Sequence, residues 1–145
     1  MVNLGAAEAR NRFATAAVAR LATVGPTGGP HLVPVTFALD GDRIYTAVDA
    51  KPKATASLRR LSNIAADPRV TLLADHYEAD WRNLWWARAD GQAALLARPA
   101  DMTGPLALLA ARYRQYRANP PPGPVIEIQV RRWTGWAASP RGGVS

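Results

Sequence analysis

Lys51-Pro52-Lys53 lies between a strand-like run, Arg43 to Val48, and a run with helical spacing, Ala54 to Ala66. Pro52 suits the first turn of a helix. Two ammonium groups ahead of a helix start, where backbone N–H groups are free and the dipole favours negative charge, can hold a phosphate. Thr55 or Ser57 could add a hydroxyl. The segment is not a glycine-rich Walker loop, and two solvated lysines are the plain alternative. A second cluster is aromatic: Trp81, Trp85 and Trp86 fall within six residues. Rings that cannot all fit one small core suggest a ligand face or a subunit interface, the alternative being that Trp85 simply fills the core. Pro34 stands inside a strand-like run and must mark an edge or a bulge, because it cannot donate to a ladder.

The residues available for catalysis are few. There is no cysteine, and His31 and His76 are the only imidazoles. His31 opens a strand-like run and reads as a surface residue. No nucleophile–base pair and no carboxylate dyad is visible, so neither histidine is offered as an obligate base and no catalytic residue is assigned. The shortage of histidine and cysteine argues against a structural zinc site, and no metal ligand is assigned.

The elements that would position these residues follow from periodicity. Ala6 to Ala17 reads as a helix packed as a lid. Val18 to Val24 alternates as a strand with one face only partly polar. Gly25-Pro26-Thr27-Gly28-Gly29 is a turn. His31 to Leu39 is a second strand, with Leu32 and Pro34 opposite Val33, Val35, Phe37 and Leu39. Asp40-Gly41 is a strong hairpin signal, and Arg43 to Val48 is a third strand. Together they predict an antiparallel meander of three strands.

An amphipathic helix follows over Ala54 to Ala66, with Leu58, Leu61, Ile64 and Ala65 on one side. Arg69 to Ala74 reads as an interior strand. Leu84 to Ala97 reads as one long strand bulged at Ala89-Asp90-Gly91-Gln92, with Trp86 and Arg88 on one face and Trp85 and Ala87 on the other. Asp101 to Arg117 is a third helix, capped by Asp101 or Thr103, with Arg112, Arg114 and Arg117 in solvent. Val125 to Trp136 is the last strand, and the tail from Ala137 to Ser145 reads as frayed. Antiparallel strands with few helices suggest a small closed or half-closed barrel.

The bulk numbers are consistent with this. A chain of 145 residues suggests one domain with one core. The absence of cysteine, of a signal-peptide pattern and of a bilayer-length apolar run suggests a cytoplasmic protein with no stable membrane association. Eighteen basic against eleven acidic residues make a formal charge of +7, which favours an anionic partner.

The stretches LATVGPTGGPHLVPVTFALDGDRIYTAVDAKPK, LRRLSNIAADPRVTLLADHY and DWRNLWWARADGQA, in that order, resemble the pyridoxamine 5'-phosphate oxidase-like split-barrel proteins. The closest likeness within that superfamily is to the deazaflavin-dependent oxidoreductases of actinobacteria. The resemblance spans about Ala14 to Trp136. It implies a mainly β fold with peripheral helices, a six- or seven-stranded split barrel working as a homodimer, with two sites at the subunit interface. It implies a cofactor of the flavin mononucleotide (FMN) or deazaflavin (coenzyme F420) type. Pro34, Val35 and Thr36 would run beside the ring, and Tyr45, Thr46 and Ala47 would line the site. Lys51, Lys53 and Ala54 would receive the phosphate. Trp81, Trp86 and Trp136 would border the ring or come from the partner chain.

A lysine grip and an arginine-rich surface favour coenzyme F420, with FMN the alternative. The expected activity is hydride transfer between reduced deazaflavin and an electron-poor organic substrate, with a proton from solvent, Tyr45 or Tyr77. A non-catalytic deazaflavin carrier and a nucleic-acid-binding barrel are further alternatives. The second is disfavoured because the aromatics do not spread across one open sheet, so no nucleic acid is expected as a partner.

Overall fold

A computed structural model describes residues 2–48 and 55–139, with the side chains of 55–58 outside that description. Lys51, Lys53 and Ala54, the expected phosphate grip, therefore lie outside the described residues. Those residues form eight strands and four α-helices. In chain order they are β1 (Val2–Leu4), α1 (Ala6–Thr15), β2 (Ala19–Val24), β3 (Pro30–Val35), β4 (Ala38–Asp40), β5 (Arg43–Ala47), α2 (Thr55–Ala66), β6 (Arg69–His76), β7 (Trp85–Leu96), α3 (Pro99–Arg112), α4 (Arg114–Ala118) and β8 (Val125–Ala137). The expected six or seven strands become eight, because a short β1 pairs with the end of β8 and the second expected strand divides in two.

All eight strands belong to one sheet, in the order β3-β2-β6-β7-β8-β5-β4, with β1 on β8. The three-strand meander expected from the sequence does not form. The run His31 to Leu39 breaks at Thr36-Phe37, so that β3 pairs with β2 at one edge and β4 pairs with β5 at the other. β5 then takes β8 as its second neighbour. Flat, a seven-strand path would separate its edges by about 29 Å at ordinary strand spacing. Two linking residues cannot span more than about 11 Å between Val35 and Ala38. The sheet must therefore roll until its edges meet, with a seam where the ladder is interrupted. This is the split barrel.

Hydrophobic alternation fills the barrel. Leu21, Leu72 and Ala89 sit opposite one another on neighbouring strands and are fully buried. Phe13 of α1 enters this core against Phe37 and Trp133, with ring centroids at 4.9 and 5.3 Å. Helix α1 is thus the expected lid. Helix α2 adds Ile64 to the core, and its buried Asn63 amide donates to Thr23 Oγ1 at 3.1 Å.

The long β7 is one strand with a bulge, as its sequence suggests, and the register with β8 shifts between Asp90 and Gly91. Gly91 is required there: a Cβ would lie 2.3 Å from the Gln129 carbonyl oxygen. The bulge divides the outer surface of the sheet into two regions. In one, β5 and the start of β8 lie under α3. Tyr45 pairs with Glu127 on this outward side, yet is only 6% exposed. In the other, β3, β2, β6, β7 and the end of β8 carry no helix of the described residues on their outward side.

The third helix departs from expectation. It starts at Pro99, behind an Arg98 cap position without a side-chain bond, and Thr103 Oγ1 donates to Pro99 O instead of capping. It breaks at Tyr113 into α3 and α4. The break places Tyr113 Oη to accept from Phe37 N at 3.1 Å and donate to Ala17 O at 2.8 Å. Arg112, expected in solvent, is half-buried instead. Its guanidinium donates to Phe37 O at 2.9 Å, to Ala14 O at 3.1 Å and to Ala16 O, and lies over the Phe37 ring at 4.5 Å. These bonds hold the seam crossing at Thr36-Phe37, where no strand partner satisfies the backbone.

Candidate functional site

The open outward side of the sheet is built from three cross-strand rows. Pro34, Arg20, Leu73, Arg88 and Thr134 face one another in succession across β3, β2, β6, β7 and β8. Beside them run Leu32, Ala22, Thr71, Asp90 and Arg132. The third row is Asp75, Trp86, Trp136 and Asn3. Strand parity alone sets this face: each of these residues alternates with one that enters or borders the core.

A groove of about 540 Å³ runs over these rows, lined among others by Arg20, Leu32, Leu73, Tyr77, Trp86 and Arg88. That volume lies in the range of small-molecule sites. Leu32 and Tyr77 are each 65% exposed at its border. Arg88 is braced: its Nε donates to Asp90 Oδ2 at 3.1 Å, Asp90 Oδ1 accepts from Thr71 Oγ1 at 2.7 Å, and the guanidinium stands 5.8 Å from the Trp86 ring centre. Arg20 is held loosely, by one contact of 3.4 Å to Asp75. These two residues also line an adjoining cavity of about 390 Å³ together with His76 and Trp85.

The expected site residues divide between this face and other places. Pro34 is exposed on the edge strand β3, opposite Arg20, so the edge reading holds and no bulge is needed. Trp86 and Trp136 are direct cross-strand partners on the open face. Val35 and Thr46 are buried instead. Thr36 stands in the seam, and its Oγ1 shares a 2.7 Å hydrogen bond with Tyr116 Oη. Ala47 is half-buried opposite Val125. Tyr45 is buried under α3, and that burial, with the nearby Glu127 carboxylate, raises its pKa, so its hydroxyl stays protonated at neutral pH. Of the two tyrosines considered as proton sources, Tyr77 borders the groove.

Trp81 is 75% exposed on a single 3₁₀ turn, Trp81–Asn83. Asp80 opens that turn by accepting from Arg82 N at 3.1 Å and from its guanidinium at 3.0 and 2.8 Å. Those bonds lower the Asp80 pKa to about 2. Trp85, by contrast, is buried in the core. His76 pairs with Glu78 at 3.2 Å. His31 is half-buried, with an enclosed ring nitrogen that has no hydrogen-bond partner among the described residues, rather than a plain surface residue.

Sequence reasoning missed Arg20, Leu73, Asp75 and Arg88 as one constellation. The signal was the partly apolar outer parity of β2 and β6. It is masked because the apolar run around Leu73 reads as an interior strand, and because nothing local tells which strands lie side by side. Among the described residues, no group of three or more His, Asp or Glu is placed to hold a metal ion. None of their helices is long and apolar enough to cross a membrane.

Known structures share this architecture. A FAD-binding protein from Mesorhizobium loti superposes with a TM-score of 0.73 at 18% identity, over 92% of this chain and 95% of its own. A FAD-binding protein from Mycobacterium smegmatis does so with 0.64 at 17% identity, over 94% and 97%. A heme-binding protein from Mycobacterium smegmatis does so with 0.70 at 21% identity, over 95% of this chain and 60% of its own. At such identities the likeness concerns the fold. No curated protein matches the sequence significantly. The family model for pyridoxamine 5'-phosphate oxidase matches residues 6–137, which takes in α1 and the strands from β2 to β8; the chain belongs to that family of split-barrel proteins.

Proposed function

We propose that this chain is an oxidoreductase that binds a phosphorylated tricyclic redox cofactor against the open face of the sheet, at a cleft shared by two copies of the chain. Coenzyme F420 is the favoured cofactor, and an electron-poor organic molecule is the substrate. The observation that carries the reading is the face itself: two arginines, two paired tryptophans and an apolar floor, on the side of the barrel that no helix of the described residues covers.

The residues present suit a flat ring with polar edges. Leu32 and Trp86 offer apolar contact to the ring, while Arg20, Leu73 and Arg88 remain for the substrate held against it. Thr134, in the same row as Arg88, has a buried hydroxyl oxygen without a hydrogen-bond partner among the described residues. When bound, such a cofactor supplies hydride transfer. The protein's part is to hold ring and substrate at contact distance and to exclude water. Thr36, fixed by Tyr116, would present a hydroxyl from the seam. Lys51 and Lys53 would meet the phosphate with charge-assisted bonds. A second copy would cover the apolar groups at the border of the face, Leu32, Tyr77 and Trp81.

FMN is the second reading, favoured because two of the similar folds belong to FAD-binding proteins. Titration of the purified protein with each cofactor, followed by tryptophan fluorescence, tests both. Saturable quenching by F420 that is stronger than by FMN is expected, and tight FMN binding without F420 binding would reverse the preference. The double variant Lys51→Ala/Lys53→Ala is expected to bind at least tenfold more weakly with its thermal transition unchanged. Equal affinity would place the phosphate elsewhere.

A further inference from the structure

We infer that Arg20 and Arg88 form a receptor for a carboxylate on the hydride acceptor, with Asp75 as its built-in competitor. The substrate class is then a planar, conjugated organic acid. This rests on the function proposed above and narrows it.

The two arginines stand in one row, separated only by Leu73. Two strand spacings put their backbones about 10 Å apart, and both line the same groove. The gap between them is floored by an apolar side chain and bordered by Trp86. A flat acid can lie on that floor with its carboxylate toward either guanidinium. The pair is unequal. Arg88 is anchored through Nε by Asp90, which is itself fixed by Thr71. Among the described residues its two terminal nitrogens make no hydrogen bond, so a planar fork remains for a carboxylate. Arg20 has one long contact to Asp75, and both side chains are substantially solvent-accessible. Such a pair contributes little, so an incoming carboxylate can replace Asp75 at small cost.

The location suits a hydride acceptor. Arg20 lies directly opposite Pro34, the first residue of the segment proposed to run beside the ring. An acid held at Arg20 is therefore next to that segment.

The competitor makes the idea testable by opposite signs. The probes are trans-cinnamate and trans-cinnamamide, a conjugated acid and its neutral analogue, titrated calorimetrically into the full chain without cofactor at low salt. The acid is expected to bind about tenfold tighter than the amide, a margin of about 1.4 kcal/mol. Arg20→Met and Arg88→Met should each weaken that preference and the double variant should abolish it, with amide binding changed far less. Asp75→Asn should tighten acid binding severalfold and leave the amide alone.

Equal binding of acid and amide, or of neither, would overturn the proposal. So would a loss of acid affinity in Asp75→Asn, or a parallel loss of both probes in the arginine variants. Cofactor titration of the same preparation separates the two claims. Acid preference without cofactor binding sinks the proposed function alone, and cofactor binding without acid preference sinks the acid receptor alone.

Discussion

The outward side of one sheet does two different things on either side of the Gly91 bulge. Over β5 and the start of β8 it is roofed by α3, and residues of outward parity such as Tyr45 and Val125 are as buried as core residues. Over β3, β2, β6 and β7 it carries arginine–aspartate pairs, a tryptophan and exposed leucine and tyrosine. The strands are alike and the parity is alike. What differs is whether a helix lies on top. Uncovered apolar residues beside paired charges are what a surface needs when another molecule is to complete it, whereas a roofed surface can be purely apolar.

The contrast can be broken from the covered side first. Leu109 of α3 is fully buried, so Leu109→Ala should cost about 2–5 kcal/mol of unfolding free energy, read from the urea midpoint, and should leave cofactor affinity in the folded protein nearly intact. A much smaller cost would mean that α3 lies loosely and that the covered region resembles the open one.

The boundary between the regions comes next. Gly91→Ala puts a Cβ into the backbone of β8, and overpacking of that kind costs about 1–3 kcal/mol. Because the bulge sets how the open face is aimed, cofactor affinity should fall as well. A variant as stable as the parent would show that the strands can separate there at no cost.

The open side should answer in the opposite manner. Leu32→Asp, at an exposed edge position, should change subunit stability by no more than about 0.5 kcal/mol. It should raise the dissociation constant of the proposed dimer severalfold in sedimentation experiments. An unchanged dimer would move the interface off this face.

The smallest effect concerns pH. Asp80 has its pKa lowered to about 2 by its hydrogen bonds with Arg82. A carboxylate whose folded pKa is depressed stabilises the fold above its unfolded value, near 4. That contribution fades as pH falls toward 2. The turn that carries Trp81 should therefore loosen over this acid range. Asp80→Asn should abolish the step in tryptophan emission, and a step that persists would assign it to another group.

Part of the open face was legible in the sequence alone. The placement of Trp86 and Arg88 opposite Trp85 and Ala87 follows from strand alternation alone, and the bulge followed from the continuing apolar pattern on both sides of Asp90-Gly91. The Asp40-Gly41 turn correctly paired β4 with β5. The lysine couplet was equally conspicuous, but its place falls outside the described residues. What was not legible was partnership. Arg20 and Arg88 are 68 residues apart in the sequence, and only the insertion of β6 between β2 and β7 sets them in one row. Arg112 reads as a solvated helix residue, because nothing local indicates that the carbonyl oxygens of Ala14, Ala16 and Phe37 lie within its reach.

The sequence by itself determined the strands, their two-faced patterning and the bulge, because these depend on side-chain alternation and on turn chemistry over a few residues. It determined the supply of cations and indoles for the same reason. The tertiary structure alone decided that the run His31 to Leu39 would serve both edges of the sheet, that β5 would pair with β8, and that α3 would cover one part of the outer surface and spare the other. Those outcomes depend on pairings between distant segments, and a period of two residues is the same whichever neighbour a strand finally takes.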